Sequence, residues 1–298
     1  MISIIICSVN EQLSARVSAN IKNTIGLDDF EIIIINNTQN QYSIAQAYNQ
    51  GAFGAKYPYL CFIHEDILFH TENWGQYLIQ HLSVNSVSLV GVLGSLIKTV
   101  TPSGVFIPIK QLNRVNQLQR KYDGGIDHYY DNPFDEKRSR VATLDGMFLA
   151  VTKSNHQKYP FDEESLTGFH AYDIDYSLGQ AANGDVVVVY DILIEHFSYG
   201  GNTQQWVEAQ LALTDKWKAL LPYHTSLTKP EIKAAEIINT ESFLIALYAN
   251  RYPKSTQLKY LTRLLWLRPL SVKNLYFIRK FVLGGTVDNR IKNMLKRC

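Results

Sequence analysis

The sequence predicts an α/β protein, with a doubly wound, mostly parallel sheet in its first two thirds and a helical appendage at its C-terminal end. Three observations carry this expectation. Apolar runs at 2–9, 31–35 and 59–63 alternate with segments of helical spacing, at the interval that right-handed βαβ units need. The third run passes abruptly into His64-Glu65-Asp66 before apolar residues resume, and charge at a strand end is where open α/β sheets bind ligands. Beyond residue 202 the pattern is helical almost throughout.

In chain order, 2–9 is β-branched and apolar, a first strand. Residues 11–24 place Leu13, Val17 and Ile21 on one helical face, with Gly26 as the C-cap. Residues 31–35 read as a second buried strand ending at Asn36-Asn37, 43–56 as a second helix, and 59–63 as the third strand. A short helix at 71–82 and a strand at 86–94 follow. From 98 to 140, Gly, Pro, Asn and charged residues break the pattern into an irregular, functional or mobile stretch. Order returns at 141–151, in a helix beginning near Tyr172, in a strand at 185–190 and in Ile194-Glu195-His196. Helices are expected at 202–220, 229–250, 255–266, 271–282 and 287–297.

The 298 residues suffice for a catalytic-size domain, placed at 1–225, and a basic helical region at 226–298. With 46% hydrophobic and 19% charged residues the composition is that of a folded protein. Three cysteines without paired spacing suggest a reducing cytoplasm. The N-terminal apolar run has no basic segment before it and reads as a strand, not a signal peptide. No run approaches the ~18 apolar residues of a membrane span. The net charge of +2 hides an asymmetry: 254–298 holds 11 Lys/Arg against Asp288 alone, whereas 1–253 is net acidic. Its basic helices carry Trp266, Tyr276, Phe277 and Phe281, a pattern that fits an anionic membrane surface or a solvated face on a packed helix. No recognition motif accompanies the charge, which argues against nucleic acid.

His64, Glu65 and Asp66 cannot be buried unpaired without costing several kcal/mol. A divalent cation, Mn²⁺ or Mg²⁺, would satisfy them, imidazole being better suited to Mn²⁺; a solvated turn would also do so. Three further segments stand out: Asp145-Gly146-Met147-Phe148-Leu149-Ala150, Tyr172-Asp173-Ile174-Asp175-Tyr176, and Glu195-His196-Phe197-Ser198-Tyr199-Gly200-Gly201. In this order after a βαβαβ start, they resemble the nucleotide-diphospho-sugar glycosyltransferases of the GT-A fold, a Rossmann-like mixed sheet, in the family-2-like branch, over roughly residues 1–200. Phe62-Ile63-His64-Glu65-Asp66-Ile67 is similar to the branch's metal motif, with His where Asp is usual. Asn36-Asn37 stands where Asp-Asn is usual, Cys7-Ser8-Val9-Asn10 replaces the usual first loop, and Tyr172 replaces a Glu.

The resemblance implies an inverting, metal-dependent transfer of a sugar from a UDP-, GDP- or TDP-linked donor to a glycan or lipid-linked acceptor in surface polysaccharide biosynthesis. Asp66 and His196 become the expected metal ligands, with His64 acting through water or on the ribose. Asp173 becomes the catalytic base, and Asp145 a contact to donor or acceptor sugar. Ser8, Asn10, Asn37, Asn49 and Glu65 lie on or beside the donor loops; the asparagines either pair with a base edge or make turns and caps. Asp175 is expected to be a helix N-terminal charge, and His170 a partner of Asp173, an acceptor contact or solvated surface. The enzyme would work in the cytoplasm, at the inner face of the plasma membrane if the tail docks there. A catalytically silent carbohydrate-binding protein and a sugar nucleotidylyltransferase are the alternatives; the latter needs a Gly-rich basic first loop, which 7–10 lacks.

Overall fold

A computed structural model describes residues 1–198 and 200–283. Tyr199, the helix expected at 287–297 and Cys298 lie outside the described residues. The chain begins β1 (Ile2–Ser8), α1 (Glu11–Thr24), β2 (Phe30–Asn36), α2 (Ile44–Gly54) and β3 (Tyr59–Ile63). Local sequence explains this start. Asn10 caps α1 by accepting from Gln12 N and Leu13 N, and Ser43 with Gln46 forms a capping box on α2. The chain continues through β4 (Ile67–Phe69), α3 (Trp74–Leu82), β5 (Val87–Gly91), β6 (Leu93–Ser95), β7 (Ile97–Lys98), β8 (Asn113–Arg120), β9 (Ile126–Asp131), β10 (Arg138–Arg140), β11 (Thr143–Leu144) and β12 (Phe148–Thr152). It closes with α4 (Lys153–Lys158), α5 (Tyr172–Gln180), β13 (Asp185–Val189), β14 (Ile194–His196), α6 (Gln204–Lys216), β15 (Tyr223–His224), α7 (Lys229–Ala249), α8 (Lys254–Leu267) and α9 (Lys273–Leu283).

The main sheet runs β10-β13-β5-β12-β3-β1-β2. β2, β1 and β3 are mutually parallel, as are β5 and β13; β12 lies antiparallel between β3 and β5, and β10 is antiparallel at the edge. A second sheet, β11-β6-β8-β14-β4 with β9 on β8, stands beside it. Both faces of the main sheet are covered: Ile4, Ile6, Cys61 and Ile63 pack with Trp74 and Leu78 on one side, and Ile5, Leu60 and Phe62 with Tyr48 and Tyr176 on the other. That coverage is why these strands read as unbroken apolar runs.

Three expectations are corrected. The strand expected buried at 31–35 is the edge strand β2, with Ile34 45% exposed. The strand expected at 86–94 is two, β5 and β6, which belong to different sheets. The stretch 98–140, expected to be irregular, contains the β8–β9 hairpin. β8 buries Asn116, Gln117 and Gln119, so polar residues point inward and erase the alternation that sequence reading depends on.

Candidate active site

The polar strand end is the crossing between the two sheets. β3 leaves the main sheet at Ile63, His64-Glu65-Asp66 make the turn, and β4 enters the second sheet. β14 pairs antiparallel with β4 so that His196 lies opposite Ile67, and Phe197 N donates to Asp66 O at 3.1 Å. This register brings His196 to Asp66: Nε2 is 3.6 Å from Oδ2, while His64 Nδ1 is 3.9 Å from Oδ1. One ligand atom from each of the three residues lies within 4.8 Å of the others.

Burial by itself would raise the Asp66 carboxyl, but the hydrogen bond and charge of His196, with His64, hold it well below the usual carboxylate range. His64 is lowered, by burial first and by the charge of His196 second, and so stays neutral, the form in which imidazole binds metal. His196 is raised, burial being outweighed by Asp66. A half-buried carboxylate between two imidazoles is a donor set that fits a divalent cation, and its nitrogens favour Mn²⁺ over Mg²⁺.

Asp145 and Asp173 flank this cluster. His64 N donates to Met147 O at 3.1 Å, which seats the turn 145–147 beside the metal ligands. Asp173 is in the first turn of α5, entered through Ala171 in the left-handed region (φ 67°), an uncommon conformation for a residue with a side chain. Gly146 N donates to Asp173 Oδ2 at 3.1 Å, and Ile174 N to Oδ1 at 2.9 Å. Burial first, and the neighbouring charge of Asp145 second, push the Asp173 carboxyl up to about 7 despite these donors. His170 is half-buried in the preceding turn, its imidazole lowered by burial.

The other expected site residues are joined into the frame. Glu65, buried, accepts from Ser8 Oγ (2.7 Å), Asn10 N (3.1 Å) and Val9 N (3.3 Å), so it braces the first loop against the strand end. Asn37 closes the second loop through Tyr42 N and O. Asn49 holds Phe161 N and O and reaches Glu163. The amides of both are taken up by turns and loop anchoring. Asp175, expected to be a helix N-terminal charge, is instead buried: it pairs with Lys216 Nζ at 2.6 Å and accepts from Trp217 Nε1 and Tyr159 Oη. It clamps α6 onto α5, because a buried carboxylate needs partners that the helix terminus does not supply.

Some residues were not found from sequence. Tyr172 Oη lies 2.8 Å from His64 Nε2, and its departure from Glu was the only signal at that position. Phe197, next to His196, lies between the guanidinium groups of Arg16 (4.1 Å) and Arg120 (5.4 Å), drawn from α1 and the end of β8. No local pattern marks either arginine.

A profile of the family described as "Glycosyltransferase like family" matches residues 3–219. No curated protein matches the sequence. Among solved structures, a mannosyltransferase, PcManGT, from Pyrobaculum calidifontis in complex with GDP-Man and Mn²⁺ is similar at 12% identity and TM-score 0.51, covering 95% of this chain and 86% of that one. GalNAc-T7 with UDP, GalNAc and Mn²⁺ is similar at 10% identity and TM-score 0.50, covering 92% of this chain but 57% of its own. At such identities the likeness shows the fold, GT-A, as the resemblance implied. With the profile spanning most of its length, the chain belongs to this glycosyltransferase-like family.

Proposed function

We propose that residues 1–225 catalyse inverting transfer of a sugar from a nucleoside-diphosphate donor to a hydroxyl of a glycan or lipid-linked acceptor, in surface polysaccharide biosynthesis. The observation that carries this reading is the grouping of His64, Asp66 and His196 within 4.8 Å of one another, beside a carboxylate, Asp173, raised to about 7. The two solved structures described above hold a nucleotide or nucleotide sugar together with Mn²⁺. Asp66, His196 and His64 would hold Mn²⁺, or less well Mg²⁺, which supplies Lewis-acid stabilisation of charge on a diphosphate leaving group. Asp173 accepts the proton of the acceptor hydroxyl, as its raised basicity suits. Asp145 orients the sugar and keeps Asp173 basic by its charge. Ser8, Asn10 and Asn37 shape the donor pocket through the loops they fix. With Asp173 as the base and Asp145 orienting the sugar, neither carboxylate is assigned as a nucleophile, which calls for a single displacement, hence inversion. Calorimetric titration with UDP, GDP and TDP tests the reading: at least one should bind more tightly in Mn²⁺ than in chelator. Equal affinities for all three would remove the metal from it, and donor binding without turnover would favour the silent carbohydrate-binding alternative.

We also propose that the enzyme works docked on an anionic membrane surface through 254–298. Among the described residues no helix is long and apolar enough to cross a membrane. α8 and α9 pack one face on α7 through Tyr260, Leu261, Leu264 and Phe277. Of the four aromatics expected to meet lipid, Phe277 is buried, Tyr276 and Phe281 are half-buried against the same cluster, and Trp266 stands exposed. The free face supplies other groups: Leu270 and Val272 at 98% and 81% exposure, Leu275 and Val282, alongside exposed Lys259, Lys273 and Arg279. No acidic residue occurs between 242 and 287. Exposed apolar side chains among uncompensated cations match the headgroup–acyl boundary of an anionic leaflet.

A further inference from the structure

The residue that broke the family pattern, Tyr172, sits between the metal ligands and the base. Its hydroxyl touches two groups: Gly146 O at 3.2 Å and His64 Nε2 at 2.8 Å. A carbonyl oxygen only accepts, so the contact with Gly146 uses the single phenolic proton. The phenol oxygen is then left as an acceptor toward His64, and Nε2 must carry the imidazole hydrogen. A neutral imidazole has one such hydrogen, so Nδ1 is left with its lone pair. Nδ1 is the nitrogen that faces Asp66.

The surroundings hold this arrangement. Tyr172 is buried, with its ring against Tyr48 and Phe161, which fixes where its hydroxyl lies. A Cβ on Gly146 would lie 2.0 Å from Tyr172 Oη and 3.1 Å from Asp173 Cβ, so only glycine lets that peptide approach. The same glycine donates its N–H to Asp173 Oδ2. One glycine is therefore held by two consecutive residues of α5, its carbonyl by the partner of a metal ligand and its N–H by the base.

We propose that Tyr172 is a positioning residue: it fixes His64 in the Nε2–H tautomer, presenting Nδ1 to the cation, and through Gly146 it ties that ligand to the geometry of Asp173. This rests on the metal reading above and gives His64 direct ligation in place of a role through water. Groups that orient ligating histidines typically contribute 10- to 100-fold to metal affinity.

The test combines two measurements on the full chain. Nitrogen-15 NMR of the imidazoles in metal-free wild type should show His64 protonated at Nε2, and Tyr172→Phe should lose that preference. Titration with Mn²⁺ alone, followed by electron paramagnetic resonance, should show Tyr172→Phe weakened 10- to 100-fold at an unchanged melting profile. In a His64→Ala background the same substitution should cost nothing further. An Nδ1–H tautomer in wild type, which needs no variant to observe, or equal Mn²⁺ affinity in wild type and Tyr172→Phe, would overturn the proposal. A wild type with the Nε2–H tautomer but no Mn²⁺ binding would overturn the metal reading, and the positioning role of Tyr172 with it.

Discussion

Asp173 is the residue at which activity and stability oppose each other. Its folded-state pKa, about 7, stands above the ~3.9 of an unfolded aspartate. Between about pH 4 and 7 the folded protein therefore keeps a proton that the unfolded chain has released, and the stability this group contributes falls as pH rises through that window. Asp173→Asn resembles the protonated form. It should lower turnover by roughly 10²- to 10⁴-fold with donor binding retained. The same variant should melt several degrees higher than wild type at pH 8, and no higher at pH 4. In wild type, kcat/KM should climb with pH and level off above about 7. Because the charge of Asp145 contributes to the shift, Asp145→Asn should move that acid limb to lower pH. An acid limb that stays in place in Asp145→Asn would separate it from Asp173. Retained turnover in Asp173→Asn would shift the base elsewhere.

Among the elements, α7 joins the helical region to the sheet. Its Glu236, buried, accepts from Val100 N (2.6 Å), Thr101 N (3.3 Å) and Thr101 Oγ1 (3.0 Å), and pairs with Arg263 of α8 at 2.9 Å. Nearby, Lys98 is buried with its ammonium on Ser103 O, Ser103 Oγ and Gln210 Oε1, and burial lowers it to about 7. The loop after β7 is thus anchored by the buried amine of Lys98 and by the Glu236–Arg263 ion pair. Removing one partner of such a pair strands the other. Glu236→Ala is expected to destabilise the fold by about 3 kcal/mol, as measured by urea denaturation, the exposed part of Arg263 keeping the loss at the low end of the usual range. A loss below about 1 kcal/mol would mean the loop is held by its apolar contacts alone.

At the scale of the whole molecule, α8 and α9 present one packed and one free face, and this decides how docking is tested. Deleting 254–298 would uncover Phe243, Leu244 and Leu247, which α8 covers, and would confuse loss of docking with loss of packing. Substitutions on the free face avoid this. Full-length protein should co-sediment with anionic vesicles and not with neutral ones, and binding should weaken with salt, since exposed charges are screened beyond about 8 Å. Trp266→Ser combined with Leu270→Ser should reduce that binding at least tenfold without changing the melting temperature. Equal recovery with neutral and anionic vesicles, or an unaffected double variant, would leave this face to another role.

Local signals in the sequence determined the βαβαβ start, the mixed, doubly wound class, the abrupt charge at residues 64–66, the helices α6 to α9 and the basic charge of 254–298. Strand and helix periods and strand-end polarity are properties of neighbouring residues, and covered strands such as β1 and β3 must be apolar whatever packs on them. Tertiary structure alone decided the rest. The register of β14 on β4 carries His196 to Asp66, and no spacing in the sequence encodes that pairing. The approach of α5 to the turn at Gly146 puts Tyr172 on His64 and Asp173 beside Asp145. Asp175 reads as an exposed helix charge until Lys216 and Trp217 fold over it. The β8–β9 hairpin was invisible because β8 buries amide side chains, and the free face of α8 and α9 emerged once α7 had claimed the other. In each case the deciding contact lies between residues distant in the chain, where periodicity carries no information and packing does.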